Sequence, residues 1–510
     1  MSSRSFTPRL VVAIVIFVLL LVVLVRTAWV CDEAYLTFRT VDNWVHGYGL
    51  RWNPVERVQA YSHPLWLLLV ATGYAVTGDS YYTVLALSGS LTLAAVLVLA
   101  LRLARSPGTA VGAGALLLLS KAFVDFSTSG LEQPLTYLLL ALFFSAYFGS
   151  NDRARTTRMA WLAGLLAVTR ADALVLVAPA LALAVWQDRH EGPRRRLLAA
   201  ALPLLAWEVF ATIYYGFPLP NAVYAWATPM PSLPTLLGRS AVYLLDSVNV
   251  DPITMAALAA TVALSATEAL AEARPLAAGI GLSVVVVMGT GGNPMSGRLL
   301  AAPLFCAAIA ASRIDLSATT VLQRVHVLAL IVLLGLMAPG QTVADRQSAV
   351  PIENERTGIA DARLVTSPAT GLLNVLRGGL RPNAMAERGG RAAREVQRIV
   401  VPSGGNLVPA AFFAGPSVHI IDLTGDADPV LARRPPAERQ RPGPALRDLP
   451  DGYEDTVVSG VNRISAPELA AYYDRLAVVT RGPLWSARRW RTIFTMNLTF
   501  EGAPAGRPTP

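Results

Sequence analysis

Apolar runs separated by short polar segments fill the first 340 residues of the chain. A helix that crosses a bilayer needs about 20 mostly apolar residues. Eleven runs, some of them short, are predicted to cross: 10–28, 82–101, 109–124, 131–148, 158–169, 172–186, 197–215, 252–270, 275–290, 299–311 and 325–338. The pattern therefore predicts an all-α polytopic membrane domain over residues 1–339.

The first outer loop, residues 29–63, is followed by an apolar run that is too short to span comfortably. This run, PLWLLLVATGYAVT (64–77), ends at Gly78 and is predicted to be a re-entrant or membrane-surface helix. Before it, the apolar residues between Leu36 and Val45 recur near helical spacing. That spacing predicts a juxtamembrane helix lying on the membrane surface.

The distribution of arginine gives the orientation in the membrane. With a cytoplasmic N-terminus, the predicted inner segments hold 14 arginines, and the longer outer segments of the membrane part hold eight basic residues. The clusters NDRARTTR and QDRHEGPRRR both fall inside, as the positive-inside rule expects. A span at 64–77 would place both clusters outside, so the re-entrant interpretation is preferred.

With this topology the tail, residues 340–510, is extracytoplasmic. It is rich in Pro, Gly and Arg, and it has a strand-like stretch at 417–423, SVHIIDL, and a helix-like stretch at 466–476, APELAAYYDRL. The arginine- and proline-rich stretch at 433–444 is typical of a loop. We expect a small mixed α/β domain there.

Composition supports the membrane class and narrows the function. The chain is 54% hydrophobic and 15% charged, and its mean hydropathy is +0.47. Its net charge of +9 orients it in the bilayer rather than indicating a nucleic-acid partner. Cys31 precedes Asp32 and Cys306 lies inside a late apolar segment, so no disulfide is expected between them, and the sequence has no C-x-x-C metal-binding pattern. The first apolar segment lacks a small-residue cleavage site and is predicted to be a retained helix.

Two adjacent carboxylates, Asp32 and Glu33, lie between the first span and the juxtamembrane helix. This is the water–lipid boundary, where a lipid-linked substrate presents its headgroup. A carboxylate there is a candidate general base for a sugar hydroxyl. Adjacent side chains diverge by about 100° on a helix, so the two need not share one role. The competing interpretation is a solvated helix end.

Other polar residues on the outer side are weaker candidates. Arg39, Lys121 and Arg298 carry positive charge that either binds a phosphate or reaches the membrane surface. Glu132 sits at the tip of a predicted helical hairpin, where a polar turn is the alternative. Asn221 lies in the Pro-rich segment FPLPNAVYAW, which is predicted to be extended.

Arg170 and Asp172, in the motif TRAD, favour a structural ion pair or a helix cap over a binding role. Three scattered histidines, His46, His63 and His419, are weak evidence for a metal. The sequence names no cofactor and leaves open whether a divalent metal ion takes part. No phosphate-binding loop, nucleophile elbow or zinc-protease motif is present in the sequence.

The first outer loop resembles the first-loop signature of GT-C glycosyltransferases. CDEAYLTFRTVDNWVHGYGLRWNPVERVQAYSHPLW fits the form D-[DE]-A-[FY]-x-x-[FY]-R, then G-x-G, N-P-x-E-R-V and Y-[ST]-x-P-L-W. Further stretches resemble the actinobacterial terminal β-(1→2) arabinofuranosyltransferases: TSGLEQPL, TRADAL, YYGFPLPNAVY, GGNPMSGR, and in the tail IIDLTGDADPVLARR, LPDGYEDT and AAYYDRL. The chain departs from the first-loop signature at His63 and from the further motifs at Trp226 and Asn293.

The resemblance implies a GT-C fold and transfer of a sugar, arabinofuranose, from a polyprenyl-phosphate donor to a cell-wall arabinan on the outer face of the plasma membrane. Asp32 and Glu33 are then the catalytic pair, with Asp32 as the base. The donor phosphate would be bound by Arg39, Lys121 and Arg298. Residues that bind the acceptor or position loops would be Glu56, Arg57, Tyr61, His63, Glu132 and Asn221.

Two functions from other classes remain open. A lipid or polysaccharide transporter would also have polar outer loops, although it should place charges near the bilayer midplane or show repeated halves. A membrane scaffold that binds glycan through its tail would not need its carboxylates at the membrane boundary. Neither the retaining or inverting outcome nor the acceptor follows from the sequence.

Overall fold

The computed structural model is mostly helical and divides into two compact units. One unit comprises residues 1–31, 81–204 and 233–380, and the other comprises 32–80, 205–232 and 381–510. The residues that the structure describes are 3–149, 154–189, 197–198, 200–228, 231–317, 319–337, 353–354, 357–378, 383–395, 407–436 and 446–499.

Among these residues, three helices are long and apolar enough to cross a membrane: Pro8–Thr27, Ser80–Leu103 and Glu268–Thr290. A fourth candidate is the pair Leu233–Val250 and Pro252–Leu264, which is bent by 111°. The other apolar helices have 10–17 residues. The membrane class is thus supported, whereas the predicted count of eleven spans is not confirmed.

The first unit is built from apolar helices whose ends are fixed by small polar side chains. Ser106 forms a capping box with Thr109 at the start of Pro107–Leu119. Ser120 then interrupts the helix and caps Lys121–Phe126. The helices and turns of this unit are Ser3–Thr27, Ser80–Val98, Leu99–Leu103, Pro107–Leu119, Lys121–Phe126, Gln133–Tyr147, Arg155–Ala167, Ala171–Ala173, Leu174–Gln187, Leu233–Val250, Pro252–Leu264, Glu268–Ala273, Arg274–Thr290, Arg298–Leu300, Ala301–Ser312, Val321–Met337, Ala362–Thr370 and Leu372–Gly378.

Asp251 produces the bend between the two helices of the pair. Its carboxylate accepts from the Thr254 amide at 3.3 Å and the Ala122 amide at 2.7 Å, so it caps one helix and binds a second. Among the described residues of this unit, the strands are Glu353–Asn354 and Ile359–Ala360, which pair antiparallel.

In the described part of the second unit, one hydrophobic cluster surrounds Tyr453 and Tyr472 and another surrounds Trp52 and Val418. The helix Leu202–Tyr214 begins in the first unit and continues here. The remaining helices and turns are Ala34–Val45, Pro64–Thr77, Asn221–Ala227, Ala384–Glu395, Leu407–Ala414, Leu431–Arg433, Tyr453–Ser459, Pro467–Arg481 and Ala487–Thr499.

Several predictions about single elements are settled by the structure. The helix predicted in the first outer loop is Ala34–Val45, the apolar run at 64–77 is the helix Pro64–Thr77, and the tail helix is Pro467–Arg481. The predicted strand at 417–423 is wrong, since only Ile420 makes a bridge. The mixed α/β tail is not confirmed in the described part.

Three further predictions need comment. The predicted span 109–124 is divided at Ser120, and the segment predicted to be extended contains the helix Asn221–Ala227. The helix Leu233–Val250 lies where an outer loop was expected. The predicted boundary at 339/340, and residues 437–444 of the predicted tail loop, lie outside the described residues, so the division into two domains stays a prediction.

Candidate functional site

Asp32 and Glu33 form the turn that starts the helix Ala34–Val45. Their carbonyls accept from the amides of Tyr35 and Leu36 at 3.1 Å each, which makes the pair the first turn of the helix. Both side chains are half-buried, whereas Ala34 and Tyr35 directly after them are buried. The two carboxylates therefore stand at the accessible edge of a packed apolar helix start.

The Asp32 carboxylate has the properties of a poised base. Burial, with the charge of Glu33 as the second cause, raises its pKa from the ordinary value of 3.8 to about 6. Among the described residues its side chain has no hydrogen-bond or salt-bridge partner. A carboxylate with a pKa this close to neutrality is mostly ionised at pH 7, yet it accepts a proton more readily than an ordinary aspartate.

Arg39 does not reach a ligand surface but holds the second unit together. Its side chain is 1% exposed, and it donates to the carbonyls of Trp52 at 2.9 Å, Gly415 at 3.0 Å and Val418 at 2.8 Å, and also to that of Ala411. Burial lowers its pKa to about 9. These contacts engage all three guanidinium nitrogens, so the geometry favours a structural role over the predicted phosphate contact.

Glu56 and Arg57 are also tied to the tail. Glu56 accepts from Arg481 at 3.1 Å and lies 3.7 Å from His419. The Arg57 guanidinium donates to the Gly482 carbonyl, and its backbone amide donates to Thr480 at 3.0 Å. Both are thus brought together with the helix Pro467–Arg481, where they fix the loop 53–57 in place.

Tyr61 and His63 are buried and have partners within the second unit. The Tyr61 hydroxyl lies 2.8 Å from that of Tyr215, which itself donates to the Leu50 carbonyl at 3.0 Å. His63 Nε2 lies 2.8 Å from the Thr37 hydroxyl. His63, where the chain differs from the first-loop signature, therefore contacts the helix Ala34–Val45 through its side chain.

Asn221 is buried and joins its helix to a loop of the tail through its side-chain amide. Its amide donates to the carbonyls of Gly425 at 2.7 Å and Asp428 at 3.0 Å, and its carbonyl accepts from Arg433 at 3.1 Å. Arg433 also lies over the rings of Phe217 and Tyr224. The start of the helix Asn221–Ala227 is thereby held against the loop 425–433.

Sequence reasoning missed several buried ionisable groups of the tail. Burial, followed by the charge of Glu56, raises the pKa of Asp428 to about 7, and Tyr453 donates to its carboxylate at 2.9 Å. Burial lowers the pKa of His419. The stretch DADPVLARR did contain Asp428 and Arg433, but nothing in its pattern shows that they are buried.

In the first unit, Lys121 belongs to a buried network of charges. Its ammonium contacts Asp125 and lies 2.8 Å from Asp361, and Arg363 also donates to Asp125. Both side chains of the Lys121–Asp125 pair are 6% exposed. Two cations and two carboxylates balance one another here, so a phosphate would have to displace a carboxylate to bind Lys121.

Arg298 begins the 3₁₀ turn Arg298–Leu300 after a glycine-rich loop, and its side chain is half-buried. Gly297 has φ +74°, a backbone conformation that favours glycine. A Cβ at this position would also lie only 3.1 Å from the Cβ of Ala122, so both the backbone and the packing disfavour a side chain here. Ala360 pairs with the loop by donating to Pro294 at 2.8 Å and accepting from Ser296 at 2.9 Å.

Arg170 and Asp172 form the predicted ion pair, with Nε–Oδ1 and Nη2–Oδ2 distances of 2.9 and 3.0 Å. Glu132 is buried and begins the helix Gln133–Tyr147, where its carbonyl accepts from Thr136 at 3.1 Å. Arg170 lies near Glu132 and Arg298, since the charges of both act on its guanidinium. The first unit thus gathers Glu132, Arg170 and Arg298 in one polar region.

In the part of the chain that the structure describes, no three His, Cys, Asp or Glu side chains lie close enough together to hold a metal ion. Cys31 and Cys306 are buried, and neither is part of a disulfide.

Comparison with known proteins gives relatives for part of the chain. It is 32% identical over 219 residues to a terminal β-(1→2)-arabinofuranosyltransferase of Mycobacterium tuberculosis, covering 39% of this chain and 35% of the relative. It is 30% identical over 227 residues to the protein of that name in Corynebacterium glutamicum, covering 39% and 33%. The chain thus spans about a third of the length of the curated relatives it matches. No family model matches.

Among solved structures, ArnT from Cupriavidus metallidurans, bound to undecaprenyl phosphate, is similar at 13% identity with a TM-score of 0.43, over 83% of this chain and 76% of that one. The predicted resemblance to terminal arabinofuranosyltransferases is confirmed by the two curated relatives, which carry that name.

Proposed function

We propose that the chain is a membrane glycosyltransferase that moves a sugar, arabinofuranose, from a polyprenyl-phosphate donor to an arabinan acceptor on the outer face of the plasma membrane. The names of the curated relatives support the class of reaction. The observation that carries the proposal for this chain is Asp32, half-buried at the start of a helix, with no side-chain partner among the described residues and a pKa of about 6.

Asp32 acts as the general base in the proposed step. Its carboxylate takes the proton of an acceptor hydroxyl, and the oxygen forms a bond to the anomeric carbon of the donor sugar. The bond from that carbon to the phosphate oxygen breaks, and the electron pair leaves with the polyprenyl phosphate. Glu33 raises the pKa of its neighbour through its charge and positions the acceptor or its loop.

A single displacement of this kind inverts the anomeric configuration. A β-linked product from a β-linked donor would therefore need a second displacement, with a nucleophile that attacks first. The linkage of the product, read by NMR spectroscopy, decides between the two courses.

Arg298 is the proposed contact for the departing phosphate. Among the three predicted cations, Arg39 donates to four carbonyls and Lys121 is paired with carboxylates, whereas Arg298 is half-buried beside a glycine-rich loop. A guanidinium binds two phosphate oxygens at once and stabilises the charge that develops on them.

The test is transfer of label from a synthetic polyprenyl-phosphoryl arabinofuranose to an arabinan oligosaccharide by the purified full chain. We expect Arg298→Ala to raise the KM for the donor about 10–100-fold, because it removes a charge-assisted hydrogen bond worth about 1.5–3 kcal/mol. The KM for the acceptor should stay nearly unchanged. Arg239→Ala, on the helix Leu233–Val250 of the same unit, is the matched control. An unchanged donor KM in Arg298→Ala would remove Arg298 from the site. Donor that crosses vesicle membranes without sugar transfer would indicate a transporter.

A further inference from the structure

The last described helix, Ala487–Thr499, has apolar residues on two opposite faces. Ile493 and Met496 point into the core of the second unit and are buried. Phe494 and Leu498, one helical turn apart, lie on the other side and are 68% and 66% exposed. A helix that only covers a soluble core has a polar outer face, so this second apolar stripe requires a partner.

An exposed tryptophan just before the same helix stacks on a half-buried tryptophan within it. Trp485 is 74% exposed and stacks on Trp490, with ring centroids 6.3 Å apart and an angle of 26° between the rings. Tryptophan is enriched at the boundary between membrane and water, because its ring is apolar and its N–H is polar. Trp485, Phe494 and Leu498 together give this end of the unit an apolar outer surface.

The charge of the helix limits the kind of partner. The segment ARRWRTIFTMNLT contains three arginines and no acidic residue. Arg488 and Arg491 are exposed and have no ion pair among the described residues, whereas Arg489 is buried. An outer face with arginine, tryptophan, phenylalanine and leucine matches helices that lie in the headgroup region of an anionic bilayer.

Arg489 fixes the position of this helix within the second unit. It donates to the carbonyls of Ile213 at 2.8 Å and Tyr214 at 3.1 Å, at the carboxyl end of the apolar helix Leu202–Tyr214. That helix exposes Leu205 and Val209 on one side, as a lipid-facing helix does. The last helix therefore begins at the end of an apolar helix, which is where the surface of a bilayer would be.

We propose that the helix Ala487–Thr499 lies in the headgroup region of the membrane, with Phe494 and Leu498 against the lipid chains and its arginines at anionic headgroups. The partner is thus a lipid surface. This role does not depend on the transfer reaction, and it anchors the tail at the bilayer in the presence or absence of substrate.

The experiment uses the full chain in lipid nanodiscs. Phe494→Cys is labelled with an environment-sensitive fluorophore, and Ala471→Cys, an exposed site next to Asp474 on the helix Pro467–Arg481, is the matched control. The two native cysteines are buried, and wild-type protein treated with the same reagent gives the background labelling. Leu498→Cys repeats the measurement should the first variant fold poorly.

We expect the label at position 494 to emit at shorter wavelength than the label at 471 and to lose most of its intensity when spin-labelled lipids are included. Arg488→Gln with Arg491→Gln should reduce this quenching in discs that contain phosphatidylglycerol and leave it unchanged in phosphatidylcholine alone. Emission typical of water at 494 would overturn the proposal. A label at 494 that is shielded from water but not quenched by the lipid would also overturn it. In that case either a second copy of the chain or another segment of the same chain covers this face. Energy transfer between labels on two copies would identify the second copy.

Discussion

Replacing Asp32 by asparagine should make the protein less active and more stable at the same time. The substitution keeps the shape of the side chain and removes its basicity, so transfer should fall by about 10²–10⁴-fold, the usual contribution of general base catalysis. Because the ionised carboxylate is half-buried beside Glu33, the native fold carries an electrostatic cost that the variant lacks.

The size of that cost follows from the pKa. Burial and the charge of Glu33 raise it from 3.8 to about 6, and each pKa unit corresponds to about 1.4 kcal/mol, which gives an upper value of about 3 kcal/mol. Solvent screening at a half-buried site lowers this figure, so we expect about 1–3 kcal/mol. The cost is complete above pH 6, where the folded form is ionised, and it disappears below pH 3.8, where both states are protonated.

The assay compares unfolding and transfer for wild type and Asp32→Asn from pH 4 to pH 8. The variant should unfold at higher temperature at pH 8, and the difference should shrink as the pH falls through 6 towards 4. Wild-type transfer should rise with pH through about 6, and Glu33→Gln should move that rise to lower pH because it removes a charge that raises the pKa of Asp32. A folded Asp32→Asn protein that keeps near-normal transfer, or that is less stable at pH 8, would refute the reasoning.

Three further outcomes test other parts of the structure. Asp125→Asn should destabilise the first unit by about 3–5 kcal/mol, measured by unfolding in detergent, because it leaves the cation of Lys121 buried with one carboxylate fewer. Arg39→Lys should cost on the order of 3 kcal/mol in the same measurement, since a single ammonium cannot reach the four carbonyls that the guanidinium binds, and an unchanged midpoint would contradict the structural role. A reporter fused after Arg195 should be active in the cytoplasm and one fused after Pro510 outside it; a cytoplasmic C-terminus would refute the predicted topology.

Local patterns in the sequence predicted individual helices well. The apolar spacing from Leu36 to Val45 corresponds to the helix Ala34–Val45, and the run at 64–77 to the helix Pro64–Thr77. In both cases the signal lies within the element, because helical periodicity and a proline at the first helical position are local properties. The pattern of TRAD likewise indicated the Arg170–Asp172 pair, whose members are two residues apart.

Where the outcome depends on distant partners, the same reasoning failed. The apolar stretch at 417–423 alternates like a strand, yet the Val418 carbonyl accepts from Arg39 and the Ile420 amide donates to Asn53. Side chains from residues more than 350 positions away therefore take the backbone groups that a neighbouring strand would bind. The break in the helix at Ser120 has a similar cause, since the Asp251 carboxylate accepts from the Ser120 hydroxyl and from the Ala122 amide.

The three predicted phosphate ligands illustrate the same limit at the level of function. In the sequence, Arg39, Lys121 and Arg298 look alike, because each is a cation near the outer end of an apolar segment. In the structure, two of them have buried partners that already match their charge or their donors: carbonyls for Arg39 and carboxylates for Lys121. A phosphate at either position would have to replace these contacts and would leave buried polar groups without partners, which is costly. Arg298 is half-buried at the start of the turn Arg298–Leu300, beside the glycine-rich loop, and this position is why the donor experiment is centred on it.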